Sequence, residues 1–227
     1  FKREWFPIVD ELPVMRNRSV RFWDLAATPL RANNDPDYTA GVRVDYGSDG
    51  LYYVGDVQQM RGSPAEVEAL IKQTAAMDGA STSIFIEQEP GASGVNTIYH
   101  YVTKVLPDYT VHGQRNTGSK VERAGPVSSQ AEVGNIRLLR GPWLGRFLDE
   151  VEAFPLGAHD DQVDALSGSF MRLRNMQSPE PLVHQLVGTG RMSSAQNPLG
   201  LDPDNPIYWD KQKIADILLR ESRFKDV

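Results

Sequence analysis

The sequence predicts an α/β domain: a mixed sheet of three antiparallel strands followed by alternating helices and strands, flanked by helices. Three observations lead there. β-prone runs come first and in succession, a well-capped amphipathic helix follows them, and strand and helix patterns then alternate as far as residue 175. At 227 residues, 40% hydrophobic and with 4 Trp, the chain can bury one substantial core.

The opening "WFPIVDELPVM" is mixed and broken by proline, so residues 1–18 read as an incoming linker. "VRFWDLAA" (20–27) is rich in strand formers and supplies the first strand. "YTAGVRVDYG" and "LYYVGDVQQM" flank the turn signal "SDG" and form a hairpin. Ser63 then caps a helix with Pro64 at its first position and Glu66 completing a capping box; Val67, Leu70, Ile71 and Thr74 share its apolar face. "STSIFIEQEPGASG" gives a short strand ending in carboxylates and a Gly-rich turn. Val95, Ile98, Tyr99 and Val102 mark a second amphipathic helix, and "DYTVHGQ" a further strand. A helical stretch from Ser119 to Val133 is expected to be interrupted at Pro126 and closed by Gly134. "NIRLLRG" returns to extended chain, and "WLGRFLDEVEAF" and "DDQVDALSGSFMRLR" complete the domain as helices. Beyond residue 175 the periodicity fails, and 176–227 read as an irregular tail with a short helix near Lys211 to Arg220.

Composition narrows the chemistry. The chain has no Cys, which excludes disulfides and thiolate metal sites, so a metal must use oxygen or histidine ligands. A net charge of −6 argues against a globally basic nucleic-acid binder while leaving room for a local basic groove. There is no apolar run of about 18 residues and no signal-peptide pattern, so neither membrane insertion nor secretion is expected.

The carboxylates stand out by position. Asp24 lies among Phe22, Trp23, Leu25 and Ala26, where an unpaired charge is heavily penalised. An arginine such as Arg21 or Arg43 pairs with it, it lies on the exposed face of an edge strand, or it ligates a cation. Glu87 and Glu89 alternate about Gln88, so in an extended strand they point to one face at the carboxyl end, where open α/β sheets build their sites. Asp160, Asp161 and Asp164 crowd the first turn of the last helix, behind His159. One Asp suffices to cap a helix and meet its dipole. Capping by Asp160, ligation by Asp161 and a supporting role for Asp164, which shares a helix side with Asp161, is the expected division of labour. Close carboxylates raise one another's pKa unless a divalent cation neutralises them, and hard oxygen donors select Mg²⁺ or Mn²⁺. Two such ions would serve in-line phosphodiester cleavage. An Asp on the first strand, a Glu on the fourth and an Asp on a late helix form the order of ribonuclease-H-like nucleases.

The blocks "RFWDLAAT", "DPDYTAGVRV", "IEQEPGASG" and "GSKVERAGPVSSQAEVGNIRLLRGPWLGRFLDEVEAFPLGAHDDQVDALSG" closely resemble the nuclease domain of tailed-bacteriophage large terminase subunits, the DNA-packaging proteins. The resemblance implies a ribonuclease-H-like domain over 19–175 and metal-dependent cutting of concatemeric double-stranded DNA with little sequence specificity. It places catalytic and metal roles on Asp24, Glu87, Asp161 and Asp164, with Glu89 a further candidate ligand. It also implies a host-cell cytoplasmic setting during phage assembly, and the small terminase subunit and capsid portal as partners. The family's ATPase motor needs a G-x-x-x-x-G-K-[ST] loop that this chain lacks, so 1–18 are expected to be the remnant of a connection to an upstream motor. Trp5, Phe6 and Ile8 would then have lost a packing partner. Arg115, Lys120 and Arg123 in "QRNTGSKVERAG" are the expected phosphate contacts. Three competing readings make different predictions: a junction resolvase or integrase core would share the acids, a glycosidase would act without metal, and a docking module would act through its tail.

Overall fold

The computed structural model describes residues 1–26 and 37–177. The expected tail beyond residue 177, with its helix near Lys211 to Arg220, lies outside the described residues, as does the end of the first strand expected at Ala27.

One sheet organises the chain, with strands β1 (Ile8–Val9), β2 (Arg16–Asp24), β3 (Thr39–Gly47), β4 (Tyr52–Met60), β5 (Ser83–Glu87), β6 (Val111–Gln114) and β7 (Ile136–Leu139). Their order is β1-β7-β4-β3-β2-β5-β6. The β2, β3 and β4 ladder is antiparallel. β5 runs parallel to β2, β6 to β5, β7 to β4 and β1 to β7. The hairpin turn closes at "SDG", where Gly50 takes a positive φ of 82° and its N–H reaches the Gly47 carbonyl at 3.1 Å.

Strand alternation divides the core into two layers. Phe22, Val42 and Phe85 face a large cluster containing α3 (Lys120–Glu132), α4 (Leu144–Ala153) and α5 (Asp161–Gln177). Trp23, Ile84 and Ile86 face a smaller cluster with Ile71 and Ala75 of α1 (Pro64–Asp78). The Ser63–Glu66 capping box forms as expected, and Ile71 and Thr74 of the expected face are buried. The last helix lies tightly on β2. A Cβ on Gly168 would come within 2.5 Å of the Phe22 ring, and the Ser169 hydroxyl accepts from the Phe22 N–H at 2.9 Å and donates to the Val42 carbonyl at 2.6 Å.

Three local expectations change. Pro126 does not interrupt its helix: α3 runs unbroken through it, with Ala124 and Val127 buried on either side. Packing of those neighbours offsets the roughly 3 kcal/mol that an interior proline costs. Second, of the face expected for α2 (Ala92–His100) and its extension, Ile98 packs against the smaller cluster and the rest does not. Val95, Tyr99 and Val102 are exposed, while Gly94, Tyr101 and Val105 are buried. Gly94 sits so close to Glu89 that a Cβ would meet its carbonyl oxygen at 2.0 Å, and the chain widens into a π-helical turn over Tyr101–Val105, which rotates the later side chains inward. Third, the opening segment is built into the sheet. Phe6 is 4% exposed against Phe147, and β1 pairs with β7. Arg3 bonds Asp149 at 2.5 Å.

Gly168→Ala is expected to destabilise the domain by about 1–3 kcal/mol, the usual cost of forcing volume into a packed contact. Urea unfolding measures it; an unchanged midpoint would contradict the close approach of α5 to β2.

Candidate active site

Asp24 and Glu87 close two neighbouring parallel strands. Trp23 pairs with Ile86, so the next residue on each strand stands beside the other at the carboxyl end of the sheet. Parity then assigns faces: Asp24 shares that of Phe22, toward α5, whereas Arg21 points to the opposite layer. There Arg21, fully buried, pairs with Asp78 and reaches Asp56 at 2.6 Å, and Arg43 reaches Asp78 at 2.9 Å and Asp45 at 3.2 Å. The arginines that would have explained Asp24 as a structural ion pair are thus committed elsewhere.

What Asp24 meets instead is more acid. Burial, then the charges of Glu87, Asp164 and Asp161, push its carboxyl well above the usual carboxylate range, against a smaller opposing effect of Lys120. Burial also raises Glu87, opposed by Arg123 and an Asn116 hydrogen bond. Asp161 is raised chiefly by burial, although the Tyr38 backbone donates a hydrogen bond to it. Asp161 and Asp164 are 5% and 4% exposed. Glu89 does not share the strand face: β5 ends at Glu87, and Glu89 is exposed in the turn that follows, although its charge still bears on Glu87.

The helix start is held from outside. Glu150 of α4 accepts from the Gln162 N–H at 2.6 Å and the Val163 N–H at 3.3 Å, and also takes the Gln162 side-chain amide. It therefore does the work expected of Asp160, whose side chain accepts instead from Lys120 Nζ at 2.6 Å. Asp164 is bound on both oxygens, to Arg123 at 2.6 Å and Lys120 at 3.2 Å. Two of the three expected phosphate contacts thus neutralise acids in this structure, and Arg115 is exposed in the link between β6 and α3.

Asp161 is placed otherwise. Its Oδ2 is buried without a hydrogen-bond partner among the described residues. One donor atom each from Asp37, His159 and Asp161 lie within 4.8 Å of one another. Arg61 stacks 3.8 Å over the Tyr38 ring and lies 3.1 Å from His159 Nε2. Since arginine can only donate, Nε2 is the acceptor, and Nδ1 faces Asp37 and Asp161 at 3.9 Å each. An orphaned buried carboxylate oxygen and further raised carboxyls offer the hard oxygen donors that fit a divalent cation. Asp37 was not among the sequence candidates. The only signal was its position just before a strand, and its closeness to Asp161 depends on a pairing that sets Ala40 opposite Asp24.

Asp24, Glu87 and Asp161 hold protons more tightly in the folded chain than in the unfolded one. Their contribution to metal-free stability is therefore complete below the ordinary carboxylate value of about 4 and is lost as pH rises through the raised values. Asp24→Asn is expected to raise the melting temperature of the metal-free protein by on the order of a few degrees at about pH 8, with the difference vanishing near pH 4. A metal-free variant that melts below the parent at the higher pH would contradict the repulsion.

No curated protein sequence matches the chain. Solved structures do. The Mn-soaked human cytomegalovirus terminase nuclease domain matches with TM-score 0.57 and 11% identity, covering 78% of this chain and 94% of that one. An inhibitor-bound form of the same domain gives 0.53 and 12%, covering 69% and 82%. The zinc-bound large terminase nuclease of thermophilic phage G20c gives 0.51 and 13%, covering 75% and 95%. At such identities the likeness is one of fold. The family model of the terminase RNaseH-like domain matches residues 21–173, which spans β2 to α5 and every acid of the cluster, and the chain belongs to that family.

Proposed function

We propose that this chain is a metal-dependent endodeoxyribonuclease of a viral genome-packaging terminase, cutting double-stranded DNA with little sequence specificity. The convergence of Asp24, Glu87, Asp161 and Asp164 carries the proposal: burial and the charges of the other three raise Asp24, and a cation between them relieves that repulsion. Relatives solved with manganese or zinc support a divalent ion, and hard carboxylate oxygen donors favour Mg²⁺ or Mn²⁺. When bound, a pair of such ions supplies a nucleophilic water and charge neutralisation at the leaving oxygen.

The chain's own residues have separable roles. Asp24 and Asp161 would be among the residues that hold the ions, Asp161 through its unpartnered Oδ2 near His159 and Asp37. Glu87 is a ligand steadied by Asn116. Asp164, bound by Arg123 and Lys120, positions the other acids and becomes available when those cations turn to DNA. Glu89, exposed in the turn after β5, would join the ligand set from the rim. Arg115, Lys120 and Arg123 contact backbone phosphates, which favours salt-sensitive binding without base reading. In the full assembly the domain works with an upstream ATPase domain, the small terminase subunit and the capsid portal, in the host cytoplasm.

Plasmid nicking and linearisation are expected with Mn²⁺ or Mg²⁺ and not with chelator. Asp24→Asn and Asp161→Asn should each lower the rate by more than about 100-fold, the upper end for loss of a mere outer partner of a metal site. Undiminished cutting by the folded Asp24→Asn protein, or cutting in chelator, would sink the proposal.

A further inference from the structure

A small cleft of about 150 Å³ opens between α5 and the link from β6 to α3, lined by Arg115, Asn116, Thr117, Arg123, Ser167 and Arg172 among others. It adjoins the acidic cluster through shared residues: Arg123 binds Asp164, and Asn116 bonds Glu87. Arg172 is the unusual member. Its Nε is buried with no hydrogen-bond partner, and among the described residues no carboxylate bridges it. The guanidinium lies 6.0 Å from the Phe85 ring centroid, and burial pulls its pKa below the ordinary value. The cleft's own acid, Glu122, is occupied in capping α3 at Ser119. A half-buried cation without a counter-ion is costly, and a fold that keeps one beside two further arginines provides for an anion.

We propose that this cleft is a phosphate-binding subsite for the DNA backbone, with Arg172 as its floor and Arg115 and Arg123 at its mouth. The subsite rests on the DNA-cutting function proposed above. It holds a phosphate neighbouring the one at the acidic cluster, fixing the strand's path along α5 by backbone contact and without reading bases.

The test is fluorescence anisotropy of a labelled DNA duplex in Ca²⁺, over about 50–200 mM salt, with melting temperatures measured on the same samples. Arg172→Gln is expected to bind DNA about tenfold more weakly and to reduce the salt slope by about 1. Its DNA-free protein should melt on the order of 2–4 °C higher, because an uncompensated charge has gone. Thr117→Glu, an exposed substitution that places a carboxylate at the cleft, should also weaken binding and keeps the test open if Arg172→Gln does not fold. Parental affinity and salt slope in both folded variants would overturn the subsite while leaving the nuclease proposal standing. Failure of the parent protein to bind DNA would overturn both.

Discussion

Repulsion between carboxylates at one end of the sheet is the constraint to which the rest of the structure answers. Two unit charges about 4 Å apart in a partly desolvated site repel by about 4 kcal/mol at an effective dielectric of roughly 20. A fold that lets Asp24, Glu87, Asp161 and Asp164 converge must hold them there by force from elsewhere. The force comes from packing. Parallel pairing sets the ends of β2 and β5 side by side, and Gly168 and Ser169 press α5 onto β2. Glu150 then fixes the first turn of that helix without using any of the crowded aspartates.

The same end of the molecule divides its counter-charge unevenly. Lys120 and Arg123 neutralise Asp160 and Asp164, so that side is quiet without metal. Among the described residues Asp161 meets a backbone donor and a neighbouring imidazole, and keeps one oxygen unpartnered. Arg21 and Arg43 take no part, because they lie on the other layer in a separate buried network with Asp78. A cluster that is half neutralised by the protein and half open is suited to a site that must hold together before it is loaded.

Much of this was legible in the sequence, and the limits have physical reasons. Period-two and helical patterning gave the three-strand meander and the α1 capping box, because those depend on local residues. That Asp24, Glu87 and Asp161 would come near one another was legible from their setting at the ends of apolar segments. Glu150 was not: it reaches the α5 amides from another helix, and no local pattern marks a tertiary cap. Asp37 depended on how β3 pairs with β2, and Gly94 on a backbone approach that apolar counting ignores. Pro126 shows the reverse case, a strong local rule overridden by burial of its neighbours. Capping by Asp160 failed because sequence reasoning credits the nearest carboxylate, whereas Lys120 held that side chain.

The central claim, that this crowding exists to hold a divalent cation, is tested most directly by crystals soaked in Mn²⁺ and measured at the manganese absorption edge. Anomalous peaks are expected within ligand distance of Asp24 and of Asp161 Oδ2. Saturating Mn²⁺ with no peak among Asp24, Glu87, Asp161 and Asp164 would contradict it.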